Sequence, residues 1–361
     1  MAVYYFAIFM LTGIGYISMK KDANRRTVSL YLAGSFLLLV CLASFRYAIG
    51  FDYFSYRSIY GWAGVWSFSL ILRVYWMEPL FFLLCKICSL AGLSYPMFLV
   101  IINVFLMACA MQFIYRYSRI PWVSVYLYIC LQFLAYNMNL MRQSIATAFF
   151  ILAFPFLKKR KILPFTALIL VGGLFHNSLL FVFPLYFLLP MKLDRKTLTW
   201  LAALTAMAYL FFEPLFCLVK PLLPIKYGNY QGTYFWNANG FRYVIFPFLY
   251  CLLIYLFRKR IQDPSLRNLF LNSALAQAVI SLFITKHFIL ERFAVYPFVF
   301  SLIAIPEIII SKCDGKPILT YRRILILFLL FGMAYFLFAA ANGFHNVYPY
   351  VSILEKSRTM P

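Results

Sequence analysis

The chain has 361 residues, 65% of them hydrophobic, 21% aromatic and 12% charged, with a mean hydropathy of +0.85. That composition excludes a soluble globular domain and indicates an integral membrane protein. Its 33 Lys and Arg outnumber 10 Asp and Glu to give a formal charge of +23, but they lie in short clusters between apolar runs. This is the positive-inside pattern, so no nucleic-acid partner is expected.

A spanning helix needs about 17 to 25 mainly apolar residues to cross a hydrocarbon core of about 30 Å. In chain order the predicted helices cover 3–19, 28–45, 77–92, 96–115, 121–137, 143–157, 162–175, 178–190, 198–217, 241–257, 269–285, 294–310 and 324–341. The expected fold is an all-α, polytopic transmembrane helical bundle of about 12 to 14 spans, with outer-face loops forming the site. It forms a single integral membrane domain over 1–361, with outer loops at 46–76 and 220–242. The first run starts at Ala2 without a basic segment before it and ends at Lys20-Lys21 without a small-residue cleavage site, so the first helix is expected to be retained. Cysteines 41, 109, 130, 217 and 251 are scattered through apolar stretches, and Cys85 and Cys88 form a CxxC inside an apolar helix. Neither arrangement suggests a disulfide framework, a metal site or a redox centre.

Orientation follows from five basic clusters assigned to the cytoplasm: Lys20 to Arg26, Lys158 to Lys161, Lys192 to Lys196, Arg258 to Arg267, and Lys312 to Arg323. From residue 158 onward these alternate with loops around His176, 220–242, 286–292 and the C-terminus, which fall outside. Between 46 and 157 the parity fails by one crossing. A further crossing or dip by 61–76 restores it, although Arg73 makes that stretch a poor span, and a re-entrant segment elsewhere restores it equally well.

Ionisable groups at membrane depth cost several kcal/mol and so mark wet or functional sites. Arg46, Asp52 and Arg57 lie in the first outer loop beside Gly50, Tyr53 and Tyr56, where tyrosines serve as interfacial anchors or as a stacking surface for sugars. Asn137, Asn139, Arg142, Gln143 and Ser144 form a polar knot between two apolar helices. Its arginine fork suits phosphate oxygens, or else caps the preceding helix. His176 follows Gly172 and Gly173 where two short helices meet. The loop 220–242, with Tyr234, Trp236 and several amides, suits carbohydrate. Lys286, His287, Glu291 and Arg292 cluster at a helix end, with His287 and Glu291 on one face if the stretch is helical. Too few ligands converge for zinc, and no metal or cofactor is expected.

Five pieces resemble the EpsG family of bacterial exopolysaccharide polymerases, which are functionally similar to Wzy O-antigen and capsule polymerases. They are Arg46 to Tyr56, Glu78-Pro-Leu-Phe, Asn139-Leu-Met-Arg142-Gln-Ser-Ile-Ala146, Phe175-His176-Asn-Ser178 and Glu291-Arg292-Phe-Ala-Val-Tyr296. They occur in order over roughly 30–300; Phe51 departs from the small polar residue expected between Gly50 and Asp52.

The resemblance implies a multi-pass glycosyltransferase of the bacterial cytoplasmic membrane that polymerises oligosaccharide repeat units carried on undecaprenyl diphosphate at the outer face. A chain-length regulator is a further candidate partner. Within that reading Arg142, Arg46 and Arg292 meet the diphosphate, Asp52 or His176 is the base, and 226–242 holds sugar. Tyr53, Tyr56, Gln143, His287, Glu291, Tyr234 and Trp236 contribute to substrate binding. The alternatives are a lipid-linked oligosaccharide flippase or other transporter, an O-antigen ligase and a membrane O-acyltransferase. A flippase should spread its cations through both halves of the bilayer, and an acyltransferase should place its histidine toward the cytoplasm.

Overall fold

The computed structural model describes residues 1–19, 24–67, 69–70, 77–219, 240–310 and 318–354, with the side chains of 318–320 excepted. Its helices are α1 (Ala2–Ser18), α2 (Arg25–Ser44), α3 (Tyr53–Val65), α4 (Pro79–Leu90), α5 (Tyr95–Tyr117), α6 (Pro121–Cys130), α7 (Phe133–Asn139), α8 (Met141–Lys158) and α9 (Ile162–Gly173). They continue with α10 (Leu185–Leu188), α11 (Arg195–Leu210), α12 (Phe212–Val219), α13 (Arg242–Phe257), α14 (Pro264–Ile284), α15 (Glu291–Phe298), α16 (Ser301–Ile310) and α17 (Ile318–Ala341). Among the described residues the only β pairing is an isolated bridge, and the protein is an all-α polytopic helical bundle. Two compact units emerge, one of Met1–Leu180 with Ser301–Pro361 and the other of Phe181–Phe300.

Helix boundaries follow local chemistry. Proline opens α4, α5, α6 and α14, where its missing N–H is not needed. Asn24, Asp194 and Asp263 cap α2, α11 and α14 through their side-chain oxygens. Four described helices are long and apolar enough to span a bilayer, namely α2, α5, α14 and residues 321–341 of α17. The number rises to six if two bent pairs each count as one span. Other apolar stretches predicted as single spans are interrupted. The stretch 121–137 divides into α6 and α7 at Gln132, which adopts φ 70°, and 198–217 divides into α11 and α12 with an 80° bend.

The first unit corrects the expected course between 46 and 94. The stretch expected as an outer loop, with 61–76 crossing or dipping in, instead opens with α3, whose Tyr53, Tyr56, Ile59, Tyr60 and Ala63 recur at helical spacing and bury one face. That face packs on α4 and α5 in a core with Phe81, Phe82, Cys85 and Phe98.

The helix α4, expected to cross the membrane as 77–92, has 12 residues and is therefore about 18 Å long, too short for a core of about 30 Å. Both its ends are tied to the same level. α5 and α8 run parallel, with Phe105 facing Phe149 at 6.0 Å and Phe113 facing Phe154 at 5.4 Å, so Tyr95 and Arg142 share one end. At that end Glu78 meets Arg142 at 2.7 Å, Tyr60 donates to the carbonyl of Leu93 at 2.6 Å, and Tyr95 donates to that of Tyr53 at 3.2 Å. Thus α3 and α4 form a helical platform across the bundle end. Between Arg46 and Lys158, α5 is the one described helix long and apolar enough to span a bilayer, and because α8 runs parallel to it, Arg116 and Lys158 lie toward the same end.

The C-terminal segment, predicted only as an external tail, hooks back over the platform. The N–H of Tyr47 donates to the carbonyl of Val351 at 2.9 Å, that of Ile353 to Phe45 at 2.8 Å, and that of Gly50 to Asn346 at 2.9 Å. Tyr4 and Tyr350 donate to the carbonyls of Val347 and Leu42.

Candidate functional site

In the first unit, chain breaks bring four segments together. Glu78 precedes Pro79, which restricts it to extended backbone, φ −71° and ψ 133°, and starts α4 immediately after it. Its side chain does not cap its own helix. One carboxylate oxygen instead accepts from Arg142 Nη1 at 2.7 Å, while the other lies 3.2 Å from His176 Nδ1 and accepts from the N–H of Asn177 at 3.5 Å.

The partners are delivered by neighbouring helix ends. Leu140 breaks the chain between α7 and α8, so Arg142 stands in the first turn of α8. The N–H of Leu80 donates to the carbonyl of Leu174 at 3.2 Å, tying the first turn of α4 to the end of α9 and bringing His176 to Glu78. Gly172 allows this approach, since a Cβ there would lie 2.7 Å from that of Phe149 and 2.5 Å from Leu179 Cδ2.

The side chain of Glu78 is 1% exposed and that of Arg142 is 20% exposed. A carboxylate this deep persists as an ion only when paired and fully hydrogen-bonded. Arg142 also lies over the Tyr56 ring with its Cζ 5.8 Å from the centroid, and its Nε is buried without a partner among the described residues. Gln143 and Ser144 are buried beside it.

Asp52, half-buried at the start of α3, is within electrostatic reach of Tyr56 and Arg142. Its N–H donates to Asn139 Oδ1 at 3.2 Å, while Asn139 Nδ2 is 3.4 Å from His345 Nδ1. Gly50 makes that turn possible, because its φ is 95° and a Cβ would lie 2.9 Å from the carbonyl oxygen of Met138. Burial lowers the His345 imidazole to about 4, so it is the neutral acceptor for Asn139.

Arg46 is placed differently from a solvent-facing diphosphate ligand. It is 1% exposed, its Nη1 donates to the carbonyl of Ala43, and its Cζ lies 5.9 Å from the Tyr53 ring centroid. Its Nε and Nη2 have no partner among the described residues, and burial pushes its guanidinium down from the ordinary range. It sits under the platform, beneath the C-terminal hook.

The structure places the sequence-predicted Arg46, Asp52, Tyr53, Tyr56, Arg142, Gln143 and His176 in one unit and adds Glu78, which the sequence does not single out as a site residue. The signal was present, since Glu78 is one of only 10 acidic residues and stands before a proline at the head of an apolar run. His345 and its contact with Asn139 had no local signal.

The second unit contains the other predicted cluster. His287 and Glu291 do not share a helix face. His287 is extended, at φ −143° and ψ 124°, a 3-10 turn Phe288–Leu290 follows, and α15 begins only at Glu291. The partner of His287 is Glu213 of α12, 2.5 Å from its Nε2. Glu291 and Arg292 are half-buried in the first turn of α15. Tyr234 and Trp236 lie outside the described residues. No group of three or more His, Cys, Asp or Glu suited to a metal occurs among the described residues.

Comparison with curated proteins and with solved structures gave no match. The model of the EpsG family, in contrast, matches residues 29–352, nearly the whole chain and every segment of the first-unit cluster. The chain therefore belongs to the EpsG family, whose general activity is of the exopolysaccharide polymerase type.

Proposed function

We infer that the protein joins oligosaccharide repeat units carried on undecaprenyl diphosphate, at the outer face of the bacterial cytoplasmic membrane. The observation that carries this reading is the joint grip of Glu78 on Arg142 and His176 at the end of α8 remote from Lys158 to Lys161. The positive-inside rule makes the lysine end cytoplasmic, so the cluster faces out.

In the proposed step a hydroxyl of the incoming unit attacks the anomeric carbon at the reducing end of the growing chain. The new glycosidic C–O bond forms as the bond to the lipid diphosphate breaks, and the diphosphate leaves with the electron pair. Arg142 stabilises that charge, for which its planar fork and the one-fifth of its side chain that stays exposed are suited. Glu78 lies 3.2 Å from Nδ1 of His176, and in this reading the imidazole takes up the hydroxyl proton. Asp52 and Tyr56 line the approach. Arg46 supports the platform from below rather than contacting the leaving group.

The test is a gel of lipid-linked and surface polysaccharide from a deletion strain complemented with wild type, Arg142→Ala or His176→Ala, at matched membrane levels. Deletion should leave single repeats, wild type should restore a ladder, and neither variant should do so. A normal ladder from Arg142→Ala removes the assignment. Accumulation of lipid-linked units on the cytoplasmic side only identifies a flippase instead.

A further inference from the structure

The second unit contains a cavity of about 490 Å³ that the proposed reaction does not use. It lies between α11 and α14, and its construction is unusual for a helix pair. None of the residues of α11 is buried, yet its far end is clasped to the end of α14. Tyr209 and Thr285 share a hydroxyl hydrogen bond at 2.8 Å, Lys286 Nζ sits 4.6 Å from the centroid of the Tyr209 ring, and Glu213 meets His287. Phe212 covers the joint, with its ring centroid 5.1 Å from that of His287.

Below this clasp the helices part. The cavity is lined by hydrocarbon side chains such as Leu201, Leu275, Val279 and Phe283, with Thr197 and Asn272 as the polar exceptions. Asn272 closes the floor by donating its amide to the carbonyls of Leu188, Leu189 and Met191 at 2.9, 2.9 and 2.7 Å. A space of this chemistry does not stabilise water, and in a bilayer the matching occupant is a hydrocarbon chain.

The clasp end is polar and cationic. Arg242, Lys286 and Arg292 outnumber the two carboxylates Glu213 and Glu291 at the helix ends near the clasp, where α12, α13 and α15 begin and α14 stops. Arg242 stacks on Tyr243 at 5.1 Å, and Tyr243 in turn packs on Phe288 at 5.5 Å, next to His287. Leu290 and Phe293, which flank Glu291 and Arg292, belong to the cavity wall. An apolar slot that ends at a net positive cluster matches an amphiphile with a long tail and an anionic head.

We propose that this cavity seats the isoprenoid tail of the incoming, acceptor lipid diphosphate, with its diphosphate at the Lys286–Arg292 end; the departing diphosphate assigned to Arg142 belongs to the other lipid. The proposal rests on the polymerase reading for its choice of lipid.

The full-length protein in nanodiscs is irradiated with a polyprenyl diphosphate carrying a photoreactive group in its tail, and adducts are mapped by peptide mass spectrometry. Adducts are expected on α11 and α14 around Leu201 and Leu275. Unlabelled polyprenyl diphosphate should suppress them by at least about tenfold, whereas phosphatidylglycerol should not. Ala276→Trp, which fills the slot, should abolish them. Leu201→Asn should weaken them without touching a buried contact, because α11 has none.

Adducts displaced equally by phosphatidylglycerol identify an ordinary lipid site and overturn the proposal. Absence of second-unit adducts in protein that restores the polysaccharide ladder also overturns it while leaving the polymerase reading intact. Specific adducts in protein that restores no ladder support the cavity assignment and reject the polymerase reading.

Discussion

Both units contain a glutamate paired with a histidine, yet the two pairs are built for different duties. Glu78 is 1% exposed, and its oxygens serve Arg142, His176 and a backbone N–H at once. Glu213 is 54% exposed and meets the buried His287 at the joint between α12 and the end of α14. A carboxylate out of water depends on its partners to remain charged, whereas an open one is screened and gains little from pairing. The first pair therefore organises a site, and the second acts as a clasp.

The comparison breaks most decisively at Glu78. Glu78→Gln leaves the partly buried Arg142 without its counter-charge and His176 without its carboxylate, so the first unit should lose about 1–3 kcal/mol of stability. The polysaccharide ladder should disappear as well. Thermal unfolding in detergent and the complementation gel check both, and wild-type behaviour in each would refute the organising role.

The next effect sharpens the contrast through pH. His345 is held neutral to about 4 by burial, whereas an unfolded imidazole titrates near 6.5. Between these values the unfolded chain takes up a proton that the folded chain refuses, so stability falls as pH drops through that window and is unaffected above it. The full loss is about 3 kcal/mol. His345→Phe should flatten the unfolding midpoint between pH 6.5 and 4, and an unchanged slope would exclude His345 as its source.

Gly50→Ala should cost about 1–3 kcal/mol, through a positive φ and a clash with the carbonyl of Met138. Local hydrogen exchange at the Asp52 amide should report it. Glu213→Gln should be the smallest, within about 1 kcal/mol for so exposed a carboxylate. A destabilisation as large as that of Glu78→Gln would erase the distinction between the two pairs.

Much of the site was legible because ionisable residues in an apolar chain are conspicuous. Arg142, His176 and Asp52 stood out from the sequence and do lie in one unit. Glu78 is the harder residue to recognise, since a glutamate before a proline reads locally as an ordinary helix start. His287 and Glu291 would share a face only in a continuous helix, and spacing alone cannot reveal that the chain is extended at His287 and turns through a 3-10 segment before α15. The hook from His345 to Ile353 was invisible, since its contacts with Asn139 and residues 45–50 span most of the chain.

The sequence by itself determined the helical class, the membrane environment and the clustering of basic residues between apolar runs. These depend on the transfer free energy of each segment, a sum over its own residues. Tertiary structure decided that α4 lies across the bundle end rather than through it, and that Glu78 meets Arg142 and His176. Those outcomes depend on which helix ends pack together. In lipid, that choice is made by close fit and polar contacts between distant segments, for which hydropathy carries no information.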